Sequence, residues 1–439
     1  QDLDDDTWID MPGYERFSAR PRLFYEGQDG LSIYMTVGAM TEDRRGGTLD
    51  GGLAPDGNPF PQNQDTNRID AGLVIERPVG DWGYAQVRAS GTQQSHDHRF
   101  GALLEQDEHE TMLVETSLSG ETSSVSWVGG LAYQADSYDS ETFPVFDYNY
   151  DAPALFVQVD QDLGPGLSYA ASARWDDHSE YGGQFSPRLS LLYRPGPWTI
   201  RASWGRGFYA PTPFVEETEA AGLSRLEPLA GLVAETADTL SLDIGYASGA
   251  LETGLTLFAS DIDDAMRLQT VAADRVQLVN QNGVTRTRGV EALLRWRRAP
   301  YVVTASYLYL DASEPLVDTA GHRSVPLTPR HSAGIVAMWE EHDRGRVGLE
   351  LYYTGTQPLE DNPYREQGKP YLHIGLLGEI VLGRYRLFLN LENLLDVRQT
   401  REDSLLRPTR APDGRWTVDA WSPLEGFIAN AGVRIGFGE

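Results

Sequence analysis

Down this chain, very short connections alternate almost without error with long ones, and that alternation limits the possible folds more than any other feature. The short ones are "QDG" at 28–30, "GDWG" at 80–83, "GPG" at 164–166, "PGP" at 195–197, "SG" at 248–249, "RAP" at 298–300 and "GR" at 383–384. They carry the turn residues that tight hairpins demand. The long ones cover roughly 42–66, 95–106, 135–152, 207–234, 263–286, 311–328, 355–368 and 395–426. These are rich in Asp, Asn, Pro, Gly and aromatics.

Between the connections the pattern has period two. In "PWTIRASWGR", Trp198, Ile200, Ala202 and Trp204 oppose Thr199, Arg201 and Ser203. In "RGVEALLRWRR", Val290, Ala292, Leu294 and Trp296 oppose Glu291, Leu293, Arg295 and Arg297. "RVGLELYYTG" and "RYRLFLNLEN" alternate in the same way. Such segments are strands with one apolar and one polar face. A sandwich has no reason to gather long loops at one end and tight turns at the other. A bacterial outer-membrane barrel does, with apolar residues facing lipid and polar residues facing the lumen. A closed barrel also pairs every backbone group that lies in lipid.

The sequence therefore predicts an all-β fold, a transmembrane antiparallel β-barrel spanning 1–439 in the bacterial outer membrane and contacting its lipid. Trp198, Trp204, Tyr301 and Tyr353 fit its aromatic girdles. About 19 strands are countable, from "FSARPRLFYEG" to "ANAGVRIGF". Residues 1–15 then form an extracellular loop, and the first strand runs down from it. Bacterial single-chain barrels have even strand numbers, so an earlier part of the barrel is expected. A ring of 19 closed by a parallel pair is the other arrangement.

Composition removes several classes. The chain has 439 residues, no cysteine and a formal charge of −29, with Lys369 its sole lysine. Without cysteine there are no disulfides and no thiolate metal sites. The acidic excess argues against nucleic acid, which needs a basic face, and suits a cation-binding surface. No 18-residue apolar run exists to form a transmembrane helix. There is no nucleophile elbow, phosphate loop or dinucleotide fingerprint, so an enzyme is not expected.

Four segments resemble TonB-dependent outer-membrane receptors: "FSPRLSLLYRPGPWTIRASWGRGFYAPTPFVEE" (185–217), "VNQNGVTRTRGVEALLRW" (279–296), "LTPRHSAGI" (327–335) and "NLENLLDVRQT" (390–400). The resemblance implies a 22-stranded barrel closed by an N-terminal plug, which imports iron chelates, cobalamin or oligosaccharides. It implies energy supplied through a box that pairs with TonB. The chain departs from the family pattern in lacking plug, TonB box and the first three strands, and in ending "GFGE", with Phe437 before Gly438 and Glu439. TonB would then act only through the missing segment, supplied by a longer receptor or by a separate chain. The implied function is a receptor and transporter barrel for TonB-dependent uptake of a scarce small-molecule nutrient. A passive plugless pore and a surface-anchoring, adhesive barrel are the alternatives. Inward Arg201, Arg295, Arg297, Glu291, Glu350, Arg386 and Glu392 would hold a plug.

Candidate sites follow from residue type and spacing. Asp2, Asp4, Asp6 and Asp10 resemble the start of a calcium loop, although Thr7 and Gly13 replace the glycine and glutamate of that pattern. The run fits either a solvated acidic loop or calcium, or a related hard cation, bound in the first loop. In "HDHRFGALLEQDEHE", His96, His98, Glu105, Asp107 and His109 fit either a transition-metal or haem site or the ordinary polar lining of a lumen. "APTPFVEETEAAG" predicts a short helix in the longest central loop, with Thr212 as N-cap, Pro213 in the first turn and Gly222 at the end. Tyr148, Tyr150, Tyr364 and Trp416, in aromatic loops, are the candidate ligand contacts.

Overall fold

The computed structural model describes residues 1–316 and 321–436, so Phe437 and part of the 311–328 connection lie outside the described residues. One sheet holds 21 strand segments. Gly13–Ala19 and Arg22–Glu26 run along the same neighbour and form one stave, broken at Arg20–Pro21. Pro21 has no amide hydrogen for a ladder, which confines proline to edges and irregular positions in sheets. His322–Ser324 and His331–Glu341 also share a neighbour. Nineteen staves result.

They are β1 (Gly13–Ala19 with Arg22–Glu26), β2 (Ser32–Gly47), β3 (Pro61–Val79), β4 (Gly83–Phe100), β5 (Leu103–Glu121), β6 (Val125–Ser140) and β7 (Tyr148–Gly164). Then come β8 (Leu167–His178), β9 (Gly182–Tyr193), β10 (Trp198–Tyr209), β11 (Glu235–Ser248), β12 (Leu251–Asp263) and β13 (Val284–Arg298). The last six are β14 (Tyr301–Pro315), β15 (His331–Glu341), β16 (Gly345–Thr354), β17 (Tyr371–Leu382), β18 (Tyr385–Glu392) and β19 (Ile428–Ile435). Each pairs antiparallel with the next. Among the described residues no pairing joins β1 to β19, so the parallel closing pair of a 19-strand ring is not formed.

Register keeps the two faces apart. Trp198, Ile200, Ala202 and Trp204 of β10 lie opposite Tyr246, Ile244, Leu242 and Leu240 of β11. On the other face Arg201 opposes Asp243, and Ser190 shares a hydrogen bond with Ser203 at 2.9 Å. Six residues separate Trp198 from Trp204, about 20 Å at ~3.4 Å per residue. That approaches the apolar band of about 25 Å that aromatic girdles bound. Trp82 and Trp127 stack at 6.0 Å near the turn end, where Trp198 and Tyr301 are also exposed.

Several connections read from sequence as long loops are largely strand. β3 and β5 each run for 19 residues, about 65 Å at ~3.4 Å per residue, far beyond a 25 Å band. The 95–106 connection reduces to a turn at Gly101–Ala102, and 135–152 to residues 141–147. The physical reason is that both faces of these strand ends are wet. On the outer face of β3, Ile75, Leu73, Ala71 and Ile69 give way to Asn67, Asp65 and Asn63. The alternation of apolar and polar residues stops there while the hydrogen-bonded ladder continues.

Candidate ligand-binding site at the loop end

The polar faces of β3–β8 converge at the loop end on a cavity of about 950 Å³. Four of the chain's eight histidines line it: His96, His98, His109 and His178. Each sits on a strand extension near a hairpin tip. His96 Nδ1 lies 2.8 Å from Asp107 and His109 Nε2 lies 2.8 Å from Asp136. These bonds orient the rings across β4–β5 and β5–β6. His98 Nε2 is buried without a partner.

Aromatic side chains form one wall. Tyr148 and Tyr150 stack at 4.5 Å, Tyr138 and Tyr148 at 5.8 Å, and Phe214 meets Tyr138 edge-on at 4.7 Å. His178 continues the row, 5.1 Å from Tyr150. Offset and edge contacts at these separations are the favourable ones for aromatic pairs. Seven carboxyl groups also line it, those of Glu105, Asp107, Asp136, Asp151, Asp176, Glu216 and Glu219, beside the amides of Gln64, Gln94 and Gln134, with Arg44 as the only lining guanidinium or ammonium among the described residues. Asp176 is partly neutralised from outside the cavity by Arg174 at 2.7 Å.

A lid covers the cavity. The loop after β10 carries a helix, α1 (Glu216–Ala221), followed by Leu223 and Leu226. Those leucines pack with Tyr138, Phe146, Val276 and Leu278. The lid is pinned to the wall where the Leu223 amide donates to both carboxylate oxygens of Glu105 at 3.1 Å. Gln62 Nε2 donates to Ala220 O at 2.9 Å. Gly222 ends α1 as expected, at φ +81, and a Cβ there would overlap the Glu105 carboxylate. The N-cap differs from expectation. It is Val215, whose amide donates to Thr218 Oγ1 at 2.9 Å, while Thr212 Oγ1 accepts from Phe214 N at 3.3 Å one turn earlier. Burial raises the Glu217 carboxyl above its usual range, against a pull from Arg415.

Tyr148 and Tyr150 thus stand on the cavity wall. Tyr364 and Trp416 do not. Trp416 is 4% exposed, packed with Trp8, Phe60, Phe100 and Leu406. The Tyr364 hydroxyl donates to Leu406 O. An indole buries a large area, so loops that need a core of their own take the ring inward. Tyr138, Asp136, His178 and Phe214 are lining residues that the sequence reading did not single out. Counting residues outward from the tight turns would have set Asp136, Tyr138 and His178 at the height of His96 and His109, whereas Phe214 lies in the loop beyond β10 and carries no such signal.

Among the described residues only Asp2, Asp4 and Asp10 bring three His, Asp or Glu ligand atoms within 4.8 Å of one another. His96, His98, Glu105, Asp107 and His109 do not: His96 and His109 pair separately with Asp107 and Asp136 on neighbouring staves, and Glu105 is taken by the Leu223 amide. Asp6 is also outside the trio. Its oxygens accept from Trp8 N at 2.8 Å and from Ser404 Oγ. Burial first, then Asp6, Asp10 and Asp2, push Asp4 up to about 6. Burial likewise raises Asp10.

Long polar-lined staves, tight turns at one end and a lidded cavity at the other define an outer-membrane-type receptor barrel. Residues 4–394 match the family of TonB dependent receptor-like β-barrels, and the chain belongs to that family, which is made up of receptors and transporters rather than enzymes. The ferric enterobactin receptor of Pseudomonas aeruginosa is 24% identical, over 56% of this chain and 38% of that protein. The vitamin B12 transporter BtuB of Vibrio cholerae is 23% identical, over 38% of this chain and 26% of that one. The chain thus spans well under half the length of these curated relatives. In fold it resembles a crystallised mutant of the P. aeruginosa ferric enterobactin receptor, with a TM-score of 0.76 and 15% identity over 97% of this chain and 70% of that one. The siderophore receptor PirA of Acinetobacter baumannii gives 0.76 and 13% over 99% and 73%.

Proposed function

We propose that this chain is the barrel of a bacterial outer-membrane receptor that captures a scarce small-molecule nutrient in the loop-end cavity. Its siderophore and cobalamin relatives suggest the solute class, and TonB, acting through a plug domain, is the proposed energy partner. The lumen offers charges for a plug: Glu379 lies 3.5 Å from Arg346 and 3.8 Å from Arg386. The observation that carries the reading is the lidded 950 Å³ cavity with its aromatic wall, a size and lining suited to a small ligand.

The lining also argues for the ligand's charge. A ferric tris-catecholate is a trianion and would face Asp151, Glu216 and Glu219, which have no ion-pair partner among the described residues, while Asp107, Asp136 and Asp176 are paired with His96, His109 and Arg174, and the one lining guanidinium, Arg44, is paired with Glu42. At low effective dielectric each such repulsion amounts to kilocalories. A cationic or neutral solute is favoured, with rings of Tyr138, Tyr148 and Tyr150 giving its apolar part a platform and, for a cation, π-face attraction.

The test is titration of the barrel, purified in detergent, followed by intrinsic fluorescence. The probes are ferrioxamine B as cation, cyanocobalamin as neutral solute and ferric enterobactin as trianion. Ferric enterobactin should bind at least about tenfold more weakly than the best of the others, a difference of ~1.4 kcal/mol. Asp107→Asn with Asp136→Asn should narrow the gap. Tightest binding of the trianion would overturn the charge argument. Steady ion conductance in planar bilayers, without capture of any probe, would instead support a passive pore.

A further inference from the structure

The cavity leaves unexplained a second group of carboxylates, in the segment before β1. Asp2, Asp4 and Asp10 each present an Oδ1 atom that is buried and has no hydrogen-bond partner. Their ligand atoms lie within 4.8 Å of one another. Asp10 is 3% exposed, and its other oxygen is occupied by the Leu3 amide at 2.7 Å. The Asp2 Oδ2 is likewise occupied, by the Thr7 amide at 3.0 Å. The backbone thus fixes one oxygen of each of these two and leaves the other aimed inward. Buried polar atoms in native proteins are satisfied, and an unpaired buried carboxylate is costly. Three of them facing one another call for a cation.

We propose that Asp2, Asp4 and Asp10 bind a calcium ion that clasps the first segment to the mouth of the barrel. The donors are all oxygens, as hard cations require, and no imidazole reaches the group. Three carboxylates supply part of calcium's shell of six to eight oxygens, which commonly includes carbonyls and water as well. Magnesium, which sheds its water reluctantly, fits such a cluster less well. Asp6, nominally part of the same run, serves as a strut through Ser404 and is not a ligand.

The clasp has a mechanical reach. Trp8, between the ligands, inserts among Phe60, Phe100, Leu406 and Trp416. Ile9 N donates to Gly47 O at 2.8 Å and Leu49 N to Thr7 O at 2.9 Å. Holding residues 2–10 closed therefore holds the hairpin tip after β2 and the long loop after β18.

The experiment uses the full chain in detergent, with hydrogen exchange of residues 2–10 read before and after EGTA and after calcium is restored. Calcium is expected to slow exchange of these amides at about one equivalent, and terbium in its place to show luminescence sensitised by Trp8. Asp10→Asn and Asp4→Asn should abolish both signals. Asp6→Asn should keep them, and heat-modified gel mobility would show all variants folded. Equal protection in sodium or magnesium alone overturns the proposal. So does retention of both signals in Asp10→Asn, or their loss in Asp6→Asn to the same extent.

Discussion

Two buried amides, Asn393 and Gln399, tie backbone to backbone at the mouth. Asn393, 1% exposed, donates to Val397 O at 2.8 Å and Glu425 O at 3.0 Å, and accepts from Val397 N at 2.9 Å. Gln399, fully buried, accepts from Trp421 N at 2.7 Å and donates to Asp419 O at 3.3 Å. Together they close the ends of the 393–427 loop like a cross-brace. Asn393 also holds φ +49, a region asparagine tolerates better than most residues. Asn393→Ala should lower the local stability of that loop by about 2–4 kcal/mol, from lost bonds of ~1 kcal/mol each and the partners left unsatisfied. Hydrogen exchange across 393–427 would measure it. These residues sit in "NLENLLDVRQT", a segment legible only as a resemblance. Nothing in its local pattern shows a side chain bonding to residues some 30 positions later. For the same reason Trp416, in a loop rich in Arg and Pro, reads as a candidate ligand contact when it is core.

At the scale of elements, the staves were legible wherever one face meets lipid. Trp198–Trp204 and Val290–Trp296 alternate cleanly because two solvents flank each strand. Where β2–β7 rise past the membrane the contrast disappears, and "QSHDHRF" and "EQDEHE" resembled loop. One consequence is a row of like charges, Asp43, Asp65 and Asp97, directly opposed across β2, β3 and β4. Like charges in direct cross-strand register destabilise by about 0.2–1 kcal/mol a pair. Asp65→Asn should therefore raise thermal stability, checked by melting in detergent at low salt. The lid offers a pH handle. Because the folded Glu217 carboxyl titrates above its unfolded value of 4.5, the folded state binds more protons between the two, and stability falls as pH rises through that window. Glu217→Gln should stabilise the lid at pH 8 and change little at pH 4, as read by exchange at Leu223. Gly222→Ala should free that amide from Glu105 at every pH.

At the scale of the molecule, class came from connection lengths and family from four short segments. The cavity was legible only in pieces. His96, His98, Asp107 and His109 were conspicuous as a run, and Tyr148 and Tyr150 as another. Their meeting depends on the register of six long staves, and register is fixed by turns and faces rather than by any local signature. The lid was least legible, because Leu223 and Glu105 are 118 residues apart. If the cavity captures solute, the lid must yield. A double substitution loosening it, Gly222→Ala with Gln62→Ala, should speed both entry and release of ligand, seen as larger on- and off-rates in stopped flow.

The near-total use of arginine has a practical corollary. Lys369 lies in the loop after β16, half exposed and paired with Glu402 across the mouth. It is the chain's only side-chain amine. Within residues 1–439, Lys369 is thus the one side chain that an amine-reactive fluorophore can couple to, and a label there would report from the rim between the 355–370 and 393–427 loops, without an engineered cysteine. Proline follows at position 370, so proteases that cut after lysine have no good bond here.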